Sequence, residues 1–364
     1  MMVKESAIIY CEGNFGEMDG KTANGLVRSS RLYDVVGVID STKYGMDAGE
    51  LIDGKKNGIP VFKSLEHALQ NLHALPNQFI YGLAPAEAFL KQKERDVVMS
   101  AMGYGLNIVN TLHEFFTEDS EFMDHARRCG VAVKDVRKPP QKKDMNLFSG
   151  KVFHIDVPVL AVLGTDSAVG KRTTSVLLEE ALIEKGLRVV FIATGQTGLI
   201  QGAKYGVAID AIPSQYAIGE LESQILKAYE IERPDIIIVE GQGALSHPAY
   251  ISSCGILRGS RASTVIVQHP PKRKYLGDFD FMKMPTVESE IELIEHFSTA
   301  KVIAVTINHE NMNNQEIEQT VKDYEKQLKL PATDALKHGC EKLVQSIFNA
   351  YPSLKHKMKK KIVY

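Results

Sequence analysis

The chain has 364 residues, of which 44% are hydrophobic and 24% are charged, and its formal net charge is −2. This length favours two or three domains, and the small net charge argues against a nucleic-acid partner or an anionic membrane surface. The sequence contains no apolar run of about 18 residues and no signal-peptide pattern, and its four scattered cysteines form no C-x-x-C pair. We therefore expect a cytoplasmic protein without disulfides or a transmembrane helix.

Strands and helices alternate over residues 1–133. Apolar runs predict strands at 6–11, 35–39, 59–62, 78–83, 107–110 and 131–133. Helices are predicted at 21–30, 64–72, 87–102 and 119–129. This alternation is typical of a parallel, doubly wound sheet, so residues 1–133 are predicted to form a Rossmann-like α/β domain.

Asp40 ends the second predicted strand, where dinucleotide-binding folds carry an acid that binds ribose. The first turn, however, reads Gly13-x-x-Gly16-x-x-x-Gly20 and lacks the G-x-G-x-x-G fingerprint, which argues against NAD as a cofactor. The alternative interpretation of Asp40 is a turn or cap residue.

A second α/β domain is predicted at residues 152–350, after a basic, proline-containing linker at 134–151 and before a Lys-rich tail at 351–364, which we expect to fray. Its strands are predicted at 157–163, 188–193, 235–239, 263–268 and 302–307. Its helices are predicted at 175–183, 214–230, 287–297, 314–328 and 340–350. Each strand ends in polar or Gly-rich residues, so these loops should converge at the carboxyl edge of a parallel sheet.

One Gly-rich turn in this domain carries the clearest chemical signal. The stretch from Gly164 to Gly170, followed by Lys171, joins an apolar strand to a helix, which is the arrangement of a phosphate-binding P-loop. Inward-pointing amides and the helix N-terminus bind phosphate oxygens there, and the lysine adds a cation. The alternative is a chance Gly-rich turn. The residues predicted to bind a phosphate-bearing ligand are Gly164, Thr165, Asp166, Val169, Gly170, Lys171, Arg172, Thr173, Thr174, Gln196 and Asn308.

The P-loop pattern departs from its usual form at one position. Arg172 stands where a Ser or Thr normally coordinates Mg²⁺. Thr173 or Thr174 could supply the hydroxyl instead, and Glu240, at the tip of an apolar strand, occupies the position of a Walker-B acid. We therefore expect any Mg²⁺ at Thr173 and Glu240. The alternative role of Glu240 is that of a turn or cap acid.

Ionisable residues after the predicted strands are candidates for acid–base and substrate chemistry. The predicted catalytic residues are His247, Asp210 and Glu240, because a catalytic base needs a pKa near the working pH and a loop histidine meets this requirement. The predicted substrate-binding residues are Arg137, Arg258 and His269. The alternatives are structural loop histidines, a buried structural acid at Asp210 and solvated arginines.

Two resemblances rest on these residues. The pattern G-T-D-x-x-V-G-K at 164–171, with Val-Glu-Gly at 239–241, resembles dethiobiotin synthetase. That resemblance implies an ATP- and Mg²⁺-dependent ligase that forms a homodimer.

Over nearly its whole length, the chain also resembles a two-domain family long described as uncharacterised, in which at least one member is described as a D-glutamate N-acetyltransferase. The matching segments are 38–42, 58–61, 135–140, 164–174, 193–198, 239–243 and 247–250, and 82–87 matches less well. This resemblance implies an N-acyltransferase that acts on a small amino acid, with acetyl-CoA as the donor. An ATP-dependent ligase and a nucleotide-regulated binding protein without turnover are the alternatives.

Overall fold

The computed structural model describes residues 3–84 and 89–357. The chain forms two compact units, one of residues Met1–Pro139 with Gln196–Gly202 and one of Pro140–Gly195 with Ala203–Tyr364. Each unit is an α/β structure built on a parallel sheet, as the alternation of strands and helices predicted. None of the helices in the described ranges is both long and apolar enough to cross a membrane.

The first unit contains a six-stranded sheet with the order β3-β2-β1-β4-β5-β6, in which all neighbours are parallel. Its strands are β1 (Glu5–Tyr10), β2 (Tyr33–Ile39), β3 (Val61–Phe62), β4 (Gln78–Tyr81), β5 (Asn107–Asn110) and β6 (Val133–Asp135). Its helices are α1 (Lys21–Arg28), α2 (Ala48–Asp53), α3 (Leu65–Asn71), α4 (Gln92–Gly103) and α5 (Ser120–Cys129). Strand β4 and the last four residues of β1, at the centre of the sheet, are buried, as is typical of a parallel sheet with helices on its faces.

Several boundaries in this unit differ from the prediction. The helix predicted at 87–102 begins at Gln92. The Glu94 side chain caps it by accepting the backbone N–H of Lys91. Residues 85–88 lie outside the described part of the chain. The strand predicted at 131–133 is β6 at Val133–Asp135, because Asp135 accepts hydrogen bonds from Asn110 and from the 116–117 turn. Two residues of the predicted linker therefore belong to the sheet.

Asp40 is fully buried and makes the contacts of a cap residue. Its carboxylate accepts the backbone N–H of Phe15 at 2.9 Å and both the backbone N–H and the hydroxyl of Thr42. Both oxygens are therefore used within the fold.

The second unit contains a seven-stranded parallel sheet with the order β15-β14-β11-β7-β10-β8-β9. Its strands are β7 (Val159–Gly164), β8 (Val189–Ala193), β9 (Tyr205–Gly206), β10 (Ile236–Glu240), β11 (Thr264–His269), β14 (Lys301–Ile307) and β15 (Ala332–Thr333). An antiparallel hairpin of β12 (Tyr275–Leu276) and β13 (Phe279–Lys283) follows β11. Strand β7 lies at the centre of this sheet, between β10 and β11, so the residues that follow it lie at the middle of the carboxyl edge.

The helices after β6 complete the fold. They are α6 (Lys171–Glu184), α7 (Gln196–Gln201), α8 (Ser214–Glu232), α9 (Ser252–Ser260), α10 (Val287–Phe297), α11 (Asn314–Leu328), α12 (Ala335–His338), α13 (Glu341–Ala350) and α14 (Ser353–Lys357). Helix α7 belongs to the first unit, where the Gln201 amide donates to the carbonyls of Gly25 and Ser29 at 2.7 Å. The predicted tail is helical to Lys357, and residues 358–364 lie outside the described ranges.

Candidate functional site

The loop between β7 and α6 has the backbone shape that a P-loop requires. Ala168 and Gly170 have φ angles of +51° and +106°, and a Cβ at Gly164 would lie 2.7 Å from the Gln268 carbonyl oxygen. These left-handed conformations curl the chain between the strand and the helix, as in anion-binding backbone nests. The helix begins at Lys171 itself, earlier than the predicted start at Ser175, because Gly170 makes the turn directly before it.

Lys171 is buried against two glycines at the carboxyl edge. A Cβ on Gly164 or Gly241 would lie 3.2 or 3.0 Å from Lys171 Cδ, and Lys171 Nζ donates to the carbonyl oxygen of Asp166. The absence of side chains at these glycines therefore leaves the channel through which the lysine stem passes. The arrangement places the ammonium group at the loop.

Arg273 clamps the first half of the P-loop. Its guanidinium donates to Asp166 Oδ2 and to the Ser167 carbonyl, both at 2.9 Å, and it makes two 2.8 Å bonds to the Glu310 carboxylate. Burial alone would lower the pKa of this guanidinium, but its bonds to Glu310 and Asp166 raise the pKa, so the group stays charged. Sequence reasoning missed Arg273. It could have been predicted, because it is a cation four residues after the end of β11, in a loop that was already expected at the site.

Asp166 and His247 form a buried pair beside this clamp. Asp166 Oδ1 lies 3.6 Å from His247 Nε2, and neither atom has a hydrogen-bond partner. His247 Nδ1 accepts the Ala249 N–H at 3.2 Å, so the proton of the neutral ring lies on Nε2. Burial lowers the pKa of His247, although Asp166 and Asp278 oppose this shift. His247 is therefore a neutral ring that directs a proton toward a carboxylate.

His269 supports the loop from β11. Its Nδ1 lies 2.8 Å from the Thr165 hydroxyl, and burial, followed by the charge of Arg273, lowers its pKa to about 4. The neighbouring Gln268 accepts the Thr174 hydroxyl at 2.6 Å. Asn308 is near the same turn, since its side-chain nitrogen is 4.0 Å from the Cβ position of Gly170. These contacts bring the predicted residues Thr165, Thr174, His269 and Asn308 together around the P-loop.

The predicted Mg²⁺ ligands are only partly suited to that role. Glu240 is buried, and its Oε2 accepts the backbone N–H groups of Thr194 at 2.9 Å and Gly195 at 3.3 Å. Burial raises the pKa of Glu240, against the lowering effects of Arg172 and these hydrogen bonds. Within residues 3–84 and 89–357, no group of three or more His, Cys, Asp or Glu side chains could hold a metal ion. These residues therefore fit a Mg²⁺ ion only if phosphate oxygens and water supply most of its ligands.

Four further predicted residues divide between the two units, with Arg258 and Asp210 in the second and Arg137 and Gln196 in the first. Arg258 is exposed on α9, with its guanidinium 5.0 Å from the Phe297 ring, so it packs on the end of α10. Asp210 is exposed in a 3₁₀ turn, which rules out the buried structural acid considered for it. Arg137 and Gln196 belong to the first unit, where they donate to the Thr111 carbonyl at 2.8 Å and to the Thr22 hydroxyl at 3.3 Å, respectively.

A second His–carboxylate pair follows β14. His309 Nδ1 lies 2.6 Å from Asp334 Oδ2, and the other oxygen of Asp334 accepts the first backbone N–H groups of α12. A carboxylate only accepts, so Nδ1 carries a proton, and Nε2 is the acceptor in the corresponding neutral tautomer. The ring is about a quarter exposed. Of its chain neighbours, Glu310 binds the guanidinium of Arg273, and the side-chain nitrogen of Asn308 lies 4.0 Å from the Cβ position of Gly170. The sequence analysis did not select His309 or Asp334.

Comparisons with known proteins extend over both units. Residues 146–344 match a family model described as "Domain of unknown function (DUF1611_C) P-loop domain", and residues 41–139 match "Domain of unknown function (DUF1611_N) Rossmann-like domain". A D-glutamate N-acetyltransferase from Pseudoalteromonas sp. is 30% identical over 278 residues, covering 74% of this chain and 80% of that protein. A protein with the same name from Tritonibacter scottomollicae is 25% identical over 274 residues, with the same coverage.

One solved structure resembles this chain over almost its full length. It is the crystal structure of a DUF1611 family protein from Anabaena variabilis ATCC 29413, with a TM-score of 0.87 and 26% sequence identity. The alignment covers 95% of this chain and 100% of that one. The two-domain architecture is therefore shared with a protein of the same family description.

Proposed function

Because the chain belongs to the DUF1611 family, we propose a function that its named relatives share. In this proposal the protein transfers an acetyl group from acetyl-CoA to the amino group of D-glutamate or a close analogue. The observation that carries the proposal is a well-formed phosphate loop in a chain whose curated relatives are named D-glutamate N-acetyltransferase. The loop amides and Lys171 would hold phosphates of the donor. This role extends the prediction from the sequence that the P-loop binds a phosphate-bearing ligand.

The acceptor ammonium must lose a proton before its nitrogen attacks the thioester carbon. We assign the proton to His309 Nε2, because the bond from Nδ1 to Asp334 fixes the ring with Nε2 as the acceptor. The nitrogen then forms the new C–N bond and the C–S bond breaks. The departing thiolate takes the proton held by His309, and the attacking nitrogen loses its second proton to solvent, which leaves a neutral amide and free CoA. His247 suits this role less well because its Nδ1 is occupied and its Nε2 carries the proton.

An ATP-dependent ligase is the second candidate, and the position of Glu240 favours it. This acid lies at the tip of β10, next to the P-loop strand, and its carboxyl group is influenced by Lys171 and Arg172. A ligase would release ADP and phosphate, whereas acetyl transfer releases free CoA. The products therefore separate the two candidates.

The test incubates the full chain with acetyl-CoA and D-glutamate, and follows the free thiol together with the N-acetylated product by mass spectrometry. A parallel reaction contains ATP, Mg²⁺ and D-glutamate, and is assayed for ADP. We expect thiol release that depends on D-glutamate and is lost in Lys171→Ala but kept in Lys227→Ala, a change at an exposed lysine on α8. ADP release without thiol release would replace acetyl transfer by the ligase reaction. Ligand binding without either product would indicate a binding protein.

A further inference from the structure

A cavity of about 490 Å³ adjoins the P-loop in the second unit. Two of its lining residues, His269 and Arg273, contact the loop directly, through the Thr165 hydroxyl at 2.8 Å and the Ser167 carbonyl at 2.9 Å. The volume lies in the range of about 300–1,000 Å³ that small-molecule pockets occupy. A ligand with phosphates on the P-loop therefore has space for a further group directly beside them.

The cavity wall has an apolar part, beside which Arg273, Lys274, Lys283 and Glu288 contribute charged groups. It is formed in part by Tyr275, Met284, Pro285, Val287 and Tyr324. Burial, followed by the charge of Glu288, raises the pKa of Tyr324 to about 12, so its hydroxyl remains neutral. The Gln327 amide and the Thr286 hydroxyl add neutral hydrogen-bonding groups to this wall. This lining suits an aliphatic chain that carries amide groups.

The Arg273 end of this wall is poorly suited to a dicarboxylic amino acid. The one buried cation that faces the cavity is Arg273, whose donors are directed to the carboxylates of Glu310 and Asp166 and to two loop carbonyls. A guanidinium has only five N–H donors, so little capacity remains for a further carboxylate. Lys274 and Lys283 also line the cavity, and both are exposed to solvent.

We infer that this cavity binds the pantetheine arm of the acyl donor while the P-loop binds its phosphates. This inference rests on the proposed function and specifies how the donor lies in the site. The arm is a neutral chain with two amide groups, which matches a wall of apolar side chains with an amide and a hydroxyl. The cavity therefore distinguishes coenzyme A from a nucleotide that lacks the arm.

The test compares two ligands by isothermal titration: coenzyme A and adenosine 3′-phosphate 5′-diphosphate, which lacks the arm. Tryptophan is introduced from two walls of the cavity, as Met284→Trp and, separately, Gln327→Trp, so that one variant remains if the other fails to fold. Lys322→Trp lies on the same helix as Gln327 but not on the cavity wall, and serves as the matched control. Thermal unfolding verifies that each variant is folded.

We expect the parent and Lys322→Trp to bind coenzyme A at least about tenfold more tightly than the arm-free nucleotide. The cavity variants should lose this difference while keeping the affinity for the arm-free nucleotide within about twofold. Equal weakening of both ligands would place the nucleotide itself in the cavity and overturn the inference. An unchanged preference for coenzyme A would exclude the cavity as the site of the arm. If the parent binds neither ligand, the proposed function itself fails, which is a different result.

Discussion

Arg273 Nη1 lies 2.9 Å from Asp166 Oδ2 and 2.9 Å from the Ser167 carbonyl oxygen, so one guanidinium fixes both a side chain and the backbone of the P-loop. Glu310 holds the opposite side of the same guanidinium. The conformation of the phosphate loop therefore depends on a residue outside the motif, more than a hundred positions away in the chain.

Arg273→Ala should weaken both the fold and the phosphate site. The change leaves the fully buried Asp166 carboxylate without its cation, which typically costs about 3–5 kcal/mol. Urea denaturation should show this loss, and titration with a phosphate-bearing ligand should show at least a tenfold loss of affinity, about 1.4 kcal/mol.

Arg258→Ala is the control for this prediction. The Arg258 guanidinium lies over the Phe297 ring, and an exposed contact of this kind contributes about 0.5–1 kcal/mol. Ligand affinity should be unchanged. A loss of affinity as large as that of Arg273→Ala would restore Arg258 as a substrate-binding residue and remove the special role of the clamp.

Gly241→Ala should displace Lys171. The added Cβ would overlap the Val162 carbonyl oxygen and lie 3.0 Å from Lys171 Cδ, so the backbone or the lysine must shift. We expect destabilisation of about 1–3 kcal/mol by chemical denaturation, together with weaker phosphate binding.

Gly255→Ala provides the comparison within α9. A Cβ there meets only Ile209 Cδ1, at an ordinary contact distance of 3.5 Å, and alanine in a helix interior gains about 0.5–1 kcal/mol over glycine. The two substitutions should therefore shift the denaturation midpoint in opposite directions. A neutral Gly241→Ala would contradict the packing of the lysine stem.

The pH dependence of stability should carry the signature of His269. Its folded pKa of about 4 lies below its ordinary value of 6.5, so the unfolded chain binds the proton first as the pH falls. Stability from this group is complete above pH 6.5 and is lost between pH 6.5 and 4, by up to about 1.4 kcal/mol per pH unit. Burial of His247 acts in the same direction.

His269→Asn measures this contribution. Asparagine keeps a hydrogen-bonding group near the Thr165 hydroxyl but does not titrate in this range. Unfolding free energies at pH 7 and pH 5 should differ less in the variant than in the parent. Equal slopes would mean that the pKa of the ring is the same in the folded and the unfolded chain.

His309→Gln should lower kcat for the proposed acetyl transfer by about 10²-fold or more, because a positioned proton acceptor contributes about 10²–10⁴-fold. The KM for acetyl-CoA should stay near the parent value. Asp334→Asn should also lower kcat, since an amide can donate to Nδ1 and no longer fixes Nε2 of His309 as the acceptor. His338→Gln, at an exposed histidine of α12, is the control. A kcat for His309→Gln close to that of His338→Gln would assign the proton to another group.

The P-loop could be predicted because its chemistry is contiguous. One turn between a strand and a helix contains Gly164, Gly170 and Lys171, and parallel topology then placed His269 and Asn308 at the same edge. Arg273 and the His309–Asp334 pair could not be predicted in this way. Arg273 contacts the loop from a position beyond the end of β11, and α11 and β15 separate His309 from Asp334 in the sequence. Neither contact can therefore be predicted from the spacing of neighbouring residues.

Short elements without a regular apolar pattern were also missed. Helix α9 contains Gly255 and Gly259, which weaken its helical signal, and α7 has six residues. Helix α7 is held by contacts distant in sequence, such as the 2.8 Å bond between the hydroxyls of Thr22 and Thr197. The helical spacing of apolar residues therefore predicts the long helices well, whereas tertiary packing determines the short ones.

The assignment of α7 to the first unit has a consequence for biosynthesis. During translation, residues 1–139 emerge without the helix that completes their structure, and that helix follows only after 140–195 have been made. The ribosome-bound N-terminal segment therefore stays incomplete while the P-loop strand and its helix emerge. An expression fragment that ends at residue 139 would lack the partners of Gly25 and Ser29, so it should expose a surface that chaperones and proteases recognise.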